Sequence, residues 1–221
     1  MTERLTTTGL SRMVAGAAAR IRAEHAWLSE LDSHCGDGDH GAAMLRAVER
    51  LEEVFAGNFP AEFKACLERA GWNVMAADGG ASTALLGSFF LGMAEPLTAE
   101  IKSVDCRELA AAFEAGLRGV RRQTKAKAGD KTMMDALMPA IEEFGREAQA
   151  GQGMEEAMGK AAAAAKAGAE ATKEMTATFG RARFLREKTR GYPDPGATSV
   201  ALIFDGFHKG LAEKEGESPH A

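Results

Sequence analysis

Three aspartates lie close together in a glycine-rich stretch early in the chain. Asp32, Asp37 and Asp39 are interleaved with glycines in the segment LDSHCGDGDHG, which runs from Leu31 to Gly41. Carboxylates held this close repel one another unless a cation neutralises them. Their oxygens are hard ligands, which suit Mg²⁺ or Ca²⁺ better than Zn²⁺. The sequence therefore predicts a hard-cation site at these three aspartates.

Two other interpretations of this stretch are an EF-hand calcium loop and a helix cap. An EF-hand calcium loop fits poorly, because the fifth position counted from Asp37 is Gly41 and the twelfth is Val48, where an EF-hand requires Asp or Asn and then Glu. The second interpretation gives the aspartates no ligand and makes the stretch a polar turn that caps the following helix. On these residues alone, the capping interpretation stays open.

Three further motifs place small or acidic residues just before or at the start of a helix. They are DGGAST (78–83), GDKTM (129–133) and DPGATS (194–199). The free N–H groups at a helix start can bind phosphate, although each motif alone is equally typical of an ordinary helix cap. The pattern GxxxxGK[ST] does not occur in the sequence, which excludes a Walker-type phosphate loop.

The apolar periodicity indicates eight amphipathic helices and no β-hairpin. The fold class predicted is all-α, a bundle or barrel of eight antiparallel helices. In chain order we expect helices at 10–29, a second ended by Gly57-Asn58, Pro60 to about Ala77, Ala81 to Ala94, a fifth that starts at Ser103, a sixth that contains Met134 to Phe144, 154–178, and Ala197 to about Ala212.

The helix order makes the four motifs more informative together than they are separately. Each motif precedes an even-numbered helix, so alternating helix directions would bring all four to one end of the bundle. The basic stretch 181–190 lies in the polar loop before the eighth helix and would join them there. An acidic loop, several helix N-termini and a basic loop at one end together predict a site for a magnesium-bound nucleotide.

Composition narrows the class of protein. With 27 Lys and Arg against 32 Asp and Glu, the net charge of −5 argues against a general nucleic-acid binder. Three cysteines without a CxxC pair are typical of a reducing cytoplasm, and no apolar run approaches the ~18 residues of a membrane span. We expect a cytoplasmic protein of one domain, 1–221, with its core at about 7–212 and a flexible tail at 213–221.

The four motifs also carry a resemblance to a known family. LDSHCGDGDHG, DGGASTALLGSFFLGMA, AGDKTMMDALMPA and GRARFLREKTRGYPDPGATS resemble, in order and spacing, the nucleotide-binding L subunit (DhaL) of bacterial dihydroxyacetone kinase. The resemblance extends from about residue 7 to about residue 210. It implies a barrel of eight antiparallel amphipathic helices with a nucleotide at one end.

For the metal and the phosphates, the resemblance implies roles residue by residue. Asp32, Asp37 and Asp39 would hold two Mg²⁺ ions against the phosphates of ADP or ATP. His40 and Arg181 would stabilise the charge that develops during phosphoryl transfer, and both would contact the nucleotide. Further phosphate contacts are implied for the start of the second helix (Gly41, Ala42, Ala43) and for the glycine-rich loop (Gly80, Ala81, Ser82).

The rest of the nucleotide is assigned by the same resemblance. Met133 would line the adenine pocket, and Asp194, Pro195 and Gly196 would form the loop that closes over the nucleotide. Thr124 stands where family members often have glycine, eight residues before the Thr of GDKT, so this detail of the pocket departs from the family pattern.

The function implied is the ADP/ATP- and Mg²⁺-binding subunit of a two-component dihydroxyacetone (glycerone) kinase. A separate K-type subunit would hold the small hydroxyketone, so the chain alone would be inactive, and a phosphotransferase-system protein is a second expected partner. No nucleic acid or membrane is expected as a partner. Two alternatives stay open: a nucleotide-loaded module that signals to a transcriptional regulator, and the same module serving another acceptor.

Overall fold

The structure, a computed structural model, describes residues 4–213 and confirms the all-α prediction. Within this range there are eight α-helices: α1 (Thr7–Ser33), α2 (His40–Phe55), α3 (Phe63–Met75), α4 (Gly80–Ala94), α5 (Cys106–Gln123), α6 (Met134–Gln149), α7 (Met154–Ala171) and α8 (Pro195–Ala212). Short 3₁₀ turns cover Thr172–Glu174 and Ala182–Thr189. Of the predicted tail 213–221, all but Glu213 lies outside the described residues.

The helices form a closed ring in chain order. Each helix packs on the next, and α8 returns to pack on α1. Phenylalanines fill the interior: the ring of Phe113 lies 5.1 Å from that of Phe144, 5.7 Å from Phe204 and 6.0 Å from Phe89, measured between centroids. Because neighbouring helices run in opposite directions, α2, α4, α6 and α8 all begin at the same end of the barrel.

Glycines close the ring between α1 and α8. A Cβ added at Gly206 would overlap the backbone of Ala17, and one added at Gly210 would overlap the carbonyl of Arg12. Since any larger side chain would push the two helices apart, these glycines set the distance at which the last helix meets the first.

Two predicted helix starts were wrong. The third helix begins at Phe63 rather than Pro60, and the Phe63 amide donates to the Ile101 carbonyl at 2.7 Å. Ser103 does not start the fifth helix. It lies in a two-residue strand, β2 (Ser103–Val104), that pairs antiparallel with β1 (Leu5–Thr6), and Asp105 is the residue that caps α5.

The predicted bounds of the first and seventh helices also differ from the observed ones. The seventh helix ends at Ala171 rather than 178, because the chain tightens into a 3₁₀ turn at Thr172–Glu174. The first helix is longer than predicted, since Thr6 already caps it through the Gly9 amide. Among residues 4–213, none of the helices has the length and apolar character that crossing a membrane requires.

Candidate functional site

The starts of the four even-numbered helices surround a cavity of about 620 Å³. This is within the range of about 300–1,000 Å³ that small-molecule sites usually occupy. Most of the residues predicted for the site line this cavity: Asp32, Asp37, Asp39, His40, Gly80, Ala81, Ser82, Thr124, Met133, Arg181, Asp194, Pro195 and Gly196. The structure therefore brings together residues that lie more than 160 positions apart in the chain.

The three predicted metal ligands form a cluster between α1 and α2. One ligand oxygen from each of Asp32, Asp37 and Asp39 lies within 4.8 Å of the others. Glycines make this approach possible: a Cβ at Gly36 would lie 2.8 Å from the Asp32 carboxyl carbon, and Gly38 has a positive φ of +78°. Because these two residues have no side chain, the loop can fold back onto the end of α1.

The pKa values of Asp37 and Asp39 are both shifted from their ordinary value. Desolvation and repulsion from Asp37 and Asp32 raise the pKa of Asp39. Desolvation alone would raise the pKa of Asp37, but hydrogen bonds from Arg181 and from its own backbone, together with the Arg181 charge, hold it below its ordinary value. The Arg181 guanidinium, which pairs with the Asp37 carboxylate, is thus a cation already attracted to this cluster.

This donor set fits a hard divalent ion. Mg²⁺ binds oxygen at about 2.1 Å in an octahedron, so its ligand oxygens lie about 3–4 Å apart. A small inward movement of the exposed Asp37 and Asp39 side chains would bring the three oxygens to that spacing. Asp32 is held more firmly, because its carboxylate accepts a 3.3 Å hydrogen bond from the His40 amide.

The N-cap residues of α2 and α4 do not cap their helices through side chains. Asp39 occupies the N-cap position of α2 and Gly79 that of α4, and neither residue makes a capping hydrogen bond through a side chain. In α2 the first amide, that of His40, instead donates to the Asp32 carboxylate. The capping interpretation therefore fails for DGGAST and holds for LDSHCGDGDHG only through Asp32. It is correct for α8, where the Asp194 carboxylate accepts a 2.7 Å hydrogen bond from the Ala197 amide.

His40 links three of the four helix starts. Its Nδ1 lies 3.2 Å from the Ser82 hydroxyl on α4, and its Nε2 lies 3.2 Å from the Ser199 hydroxyl on α8. Burial lowers the pKa of His40, against the opposing influence of the Asp32 charge. The imidazole is therefore neutral near pH 7. It can donate one hydrogen bond but carries no positive charge.

Lys131 is a cavity residue that the sequence analysis did not single out. It is buried with a positive φ of +59°, and its ammonium donates to the carbonyls of Thr172 at 2.5 Å and Tyr192 at 2.7 Å. Burial lowers its pKa, while the nearby Asp194 charge opposes this. No local signal marks Lys131 in the sequence, because its partners lie 41 and 61 positions away.

Asp194 lies beside Lys131 at the start of α8. Burial raises the pKa of Asp194 to about 7, although the hydrogen bond from the Ala197 amide and the Lys131 charge act in the opposite direction. This carboxyl therefore holds a proton far more tightly than an ordinary aspartate does. The residue lies in the turn Asp194-Pro195-Gly196, which lines the cavity.

Three predicted phosphate contacts do not line the cavity: Gly41, Ala42 and Ala43. Gly41 is pressed against α1, where an added Cβ would overlap the His25 carbonyl. The Ala43 amide already donates to the Asp39 carbonyl at 2.9 Å. Only the backbone amides of Gly41 and Ala42, in the first turn of α2, stay as predicted contacts.

The chain is similar in sequence to known proteins. Residues 34–209 match the family described as DAK2 domain. The ADP-binding subunit DhaL of PEP-dependent dihydroxyacetone kinase 1 from Listeria innocua is 36% identical over 185 residues, which cover 84% of this chain and 87% of that protein. Triokinase/FMN cyclase of Rattus norvegicus is 36% identical over 178 residues, 80% of this chain but 30% of the relative.

A solved structure shows the same architecture. The dihydroxyacetone kinase of C. freundii, in complex with AMP-PNP and Mg²⁺, superimposes with a TM-score of 0.70 at 26% identity. The match covers 90% of this chain, which spans about a third (33%) of the length of that structure. The match over residues 34–209 and the identity along most of the DhaL relative establish that the chain belongs to the DAK2 domain family.

Proposed function

We propose that this chain is the ADP/ATP- and Mg²⁺-binding subunit of a dihydroxyacetone kinase. The observation that carries the proposal is the juxtaposition of Asp32, Asp37 and Asp39 with the starts of α2 and α4, whose N-cap residues make no side-chain hydrogen bond, at one cavity. Carboxylates suit the metal, and free helix N-termini suit phosphate. The DhaL relatives, named as ADP-binding subunits, support the assignment.

The residues of the cavity divide the work of phosphoryl transfer. Two Mg²⁺ ions, when bound, would neutralise phosphate charge, and the three aspartates would hold them. The first turns of α2 and α4 would bind phosphate oxygens through their amides, and His40 would keep the Ser82 and Ser199 hydroxyls oriented around them. Arg181, once released from Asp37, would stabilise charge on the transferred group.

The opposite side of the cavity would hold the base. Met133 and Thr124 line it at the start of α6 and just after α5, and the turn Asp194-Pro195-Gly196 would close over the nucleotide. Positioning of this kind accounts for most of the catalysis in phosphoryl transfer, because little covalent chemistry falls to the protein.

A separate K-type subunit would supply the hydroxyketone, and a phosphotransferase-system protein is the proposed donor if ADP stays bound. The test mixes the purified chain with the K-type subunit from the same cells, Mg-ATP and dihydroxyacetone. We expect dihydroxyacetone phosphate only when both proteins are present. Turnover by this chain alone, or none with both proteins and either ATP or a phosphorylated donor, would contradict the proposal.

A further inference from the structure

A strongly basic segment lies at the mouth of the cavity. Residues 181–190, which we call the basic loop, contain five cations (Arg181, Arg183, Arg186, Lys188, Arg190) and one anion, Glu187. The local charge is 5 − 1 = +4, in a chain whose net charge is −5. Of the five cations, only Arg181 lines the cavity. A nucleotide in the cavity therefore leaves most of this positive charge facing outward.

The basic loop also carries the most exposed large apolar side chain among residues 4–213. Phe184 is 75% exposed, and the guanidinium of Arg183 lies 4.7 Å from the centre of its ring. Leu185 beside it is 38% exposed. Aromatic side chains and arginine are the residue types most enriched at the energetic centres of protein interfaces.

The base of the basic loop is fixed. Besides the two Lys131 hydrogen bonds, the Gly191 amide donates to the Lys173 carbonyl at 2.8 Å, and the Ala177 amide donates to the Thr189 hydroxyl at 3.0 Å. The end of the basic loop that leads into α8 is thus held in place, five residues from Phe184. A partner that binds it has little chain to order, which lowers the entropic cost of association.

We infer that the basic loop is the docking site for an acidic surface of the protein that carries the phosphoryl acceptor. The inference rests on the proposed function, because a phosphoryl group bound in the cavity has to leave through the mouth that this loop borders. An acidic face with an apolar pocket for Phe184 complements both the charge and the shape of the loop. Since Arg181 is three residues from Phe184, docking also places the partner beside the Arg181–Asp37 pair.

The test measures phosphoryl transfer from Mg-ATP to dihydroxyacetone while the concentration of the K-type subunit is varied. For Phe184→Ser and Arg183→Glu we expect the half-saturating concentration of that subunit to rise by about tenfold or more, as at an interface hot spot, while the maximal rate and the affinity for Mg-ADP stay unchanged. Trp72→Ser is the matched control: Trp72 is 62% exposed but lies on α3, across the ring from α7, and should behave as the unmodified chain.

The outcomes separate this inference from the proposed function. If both loop variants saturate like the unmodified chain, transfer still occurs and only the docking site is wrong. If the unmodified chain shows no transfer with the K-type subunit, the proposed function fails and the docking inference fails with it. Binding to phosphatidylserine vesicles that is lost in Phe184→Ser, without a change in K-type saturation, would overturn the inference in favour of a membrane surface.

Discussion

At the scale of single residues, Asp37 connects the acidic cluster with the basic loop. Its side chain is exposed, it pairs with Arg181, and it lies outside the first turn of α2. Packing and capping therefore lose nothing when its charge is removed. Its contribution can only be electrostatic, which makes it the most informative of the three aspartates.

For Asp37→Asn we expect Mg-ADP affinity to fall by about tenfold or more, since even the groups that support metal ligands are worth about 10–100-fold, while the melting temperature of the nucleotide-free protein stays within a degree or two. Calorimetric titration and a melting curve measure the two quantities. Asp78→Asn is the control, because Asp78 is an exposed aspartate at the same end that does not line the cavity. Equal Mg-ADP affinity in both variants would contradict the metal site.

Asp194 gives stability a pH dependence of defined sign. Its pKa is about 7 in the folded chain against an ordinary value of 3.8, so the native state binds this proton more tightly than the unfolded state does. Stability contributed by the protonated form is therefore full below about pH 4 and is lost as the pH rises through 7.

Asp194→Asn should remove this loss, because Asn caps a helix about as well as Asp but does not titrate. Relative to the unmodified chain, we expect the variant to gain unfolding free energy between pH 5 and pH 8, by up to about 4 kcal/mol for a shift of three pKa units. Urea unfolding at several pH values measures the difference. Asp194→Ala, which loses the cap, should lie about 1 kcal/mol below Asp194→Asn at every pH; a pH-independent difference between Asn and Asp would be inconsistent with the raised pKa.

At the scale of elements, the helices could be predicted because their apolar periodicity is local, and the contacts between distant segments could not. Ser103 looked like a helix cap, but its backbone pairs with Thr6 and its carbonyl accepts from Arg4 at 2.6 Å. Lys131 looked like one more basic residue in a polar loop. Its burial depends on the carbonyls of Thr172 and Tyr192, whose positions only the folded chain defines.

We expect Lys131 to stabilise the conformation of the basic loop through its hydrogen bonds to the flanking carbonyls of Thr172 and Tyr192. Lys131→Met keeps a non-glycine side chain at this positive φ, so the backbone strain does not change. Only the ammonium is lost, and the carbonyls of Thr172 and Tyr192 therefore lose their donor. We expect trypsin to cleave within 181–190 several times faster, and Mg-ADP to bind more weakly. Lys127→Met, at an exposed position of the same turn, should change neither quantity. Unaltered cleavage in Lys131→Met would show that other contacts suffice to hold the loop.

The seam between α1 and α8 should be intolerant of a single methyl group. Gly206→Ala would force the Cβ into the Ala17 backbone, so we expect a loss of about 1–3 kcal/mol in unfolding free energy. Gly145→Ala in α6 is the matched control, because the nearest atom to its added Cβ outside its own helix is Glu114 Oε1, at 3.7 Å. Better helix propensity should make that change neutral or stabilising by up to about 1 kcal/mol. Chemical denaturation compares the two.

At the scale of the whole molecule, the convergence of the four motifs could be predicted, because alternating helix directions follow from short connections. The geometry inside the cavity could not be predicted in the same way. That His40 is buried between two serines depends on the packing of α4 and α8 around α2. The division of the chain, predicted to be one domain, stays a prediction.

Ligand binding at one end should stabilise the entire barrel, since unfolding any wall of the cavity destroys the site. At a hundredfold excess over Kd, a ligand that binds only the folded chain adds about 2.7 kcal/mol, which corresponds to a rise of several degrees in melting temperature at this size. We expect Mg-ADP to give this rise and EDTA to abolish most of it. No shift at saturating Mg-ADP would show that the cavity does not bind the nucleotide.

The closure of the ring by α1 and α8 has a consequence for how the barrel can be tethered. Helix α1 starts at Thr7 and runs toward the cavity, whereas α8 starts at the cavity and ends at Ala212, about 27 Å away for its 18 residues. An attachment at the start of α1 or at the end of α8 therefore leaves from the face opposite the mouth. A barrel anchored to a support there, or carried within a longer polypeptide, would keep its mouth turned toward whatever approaches it.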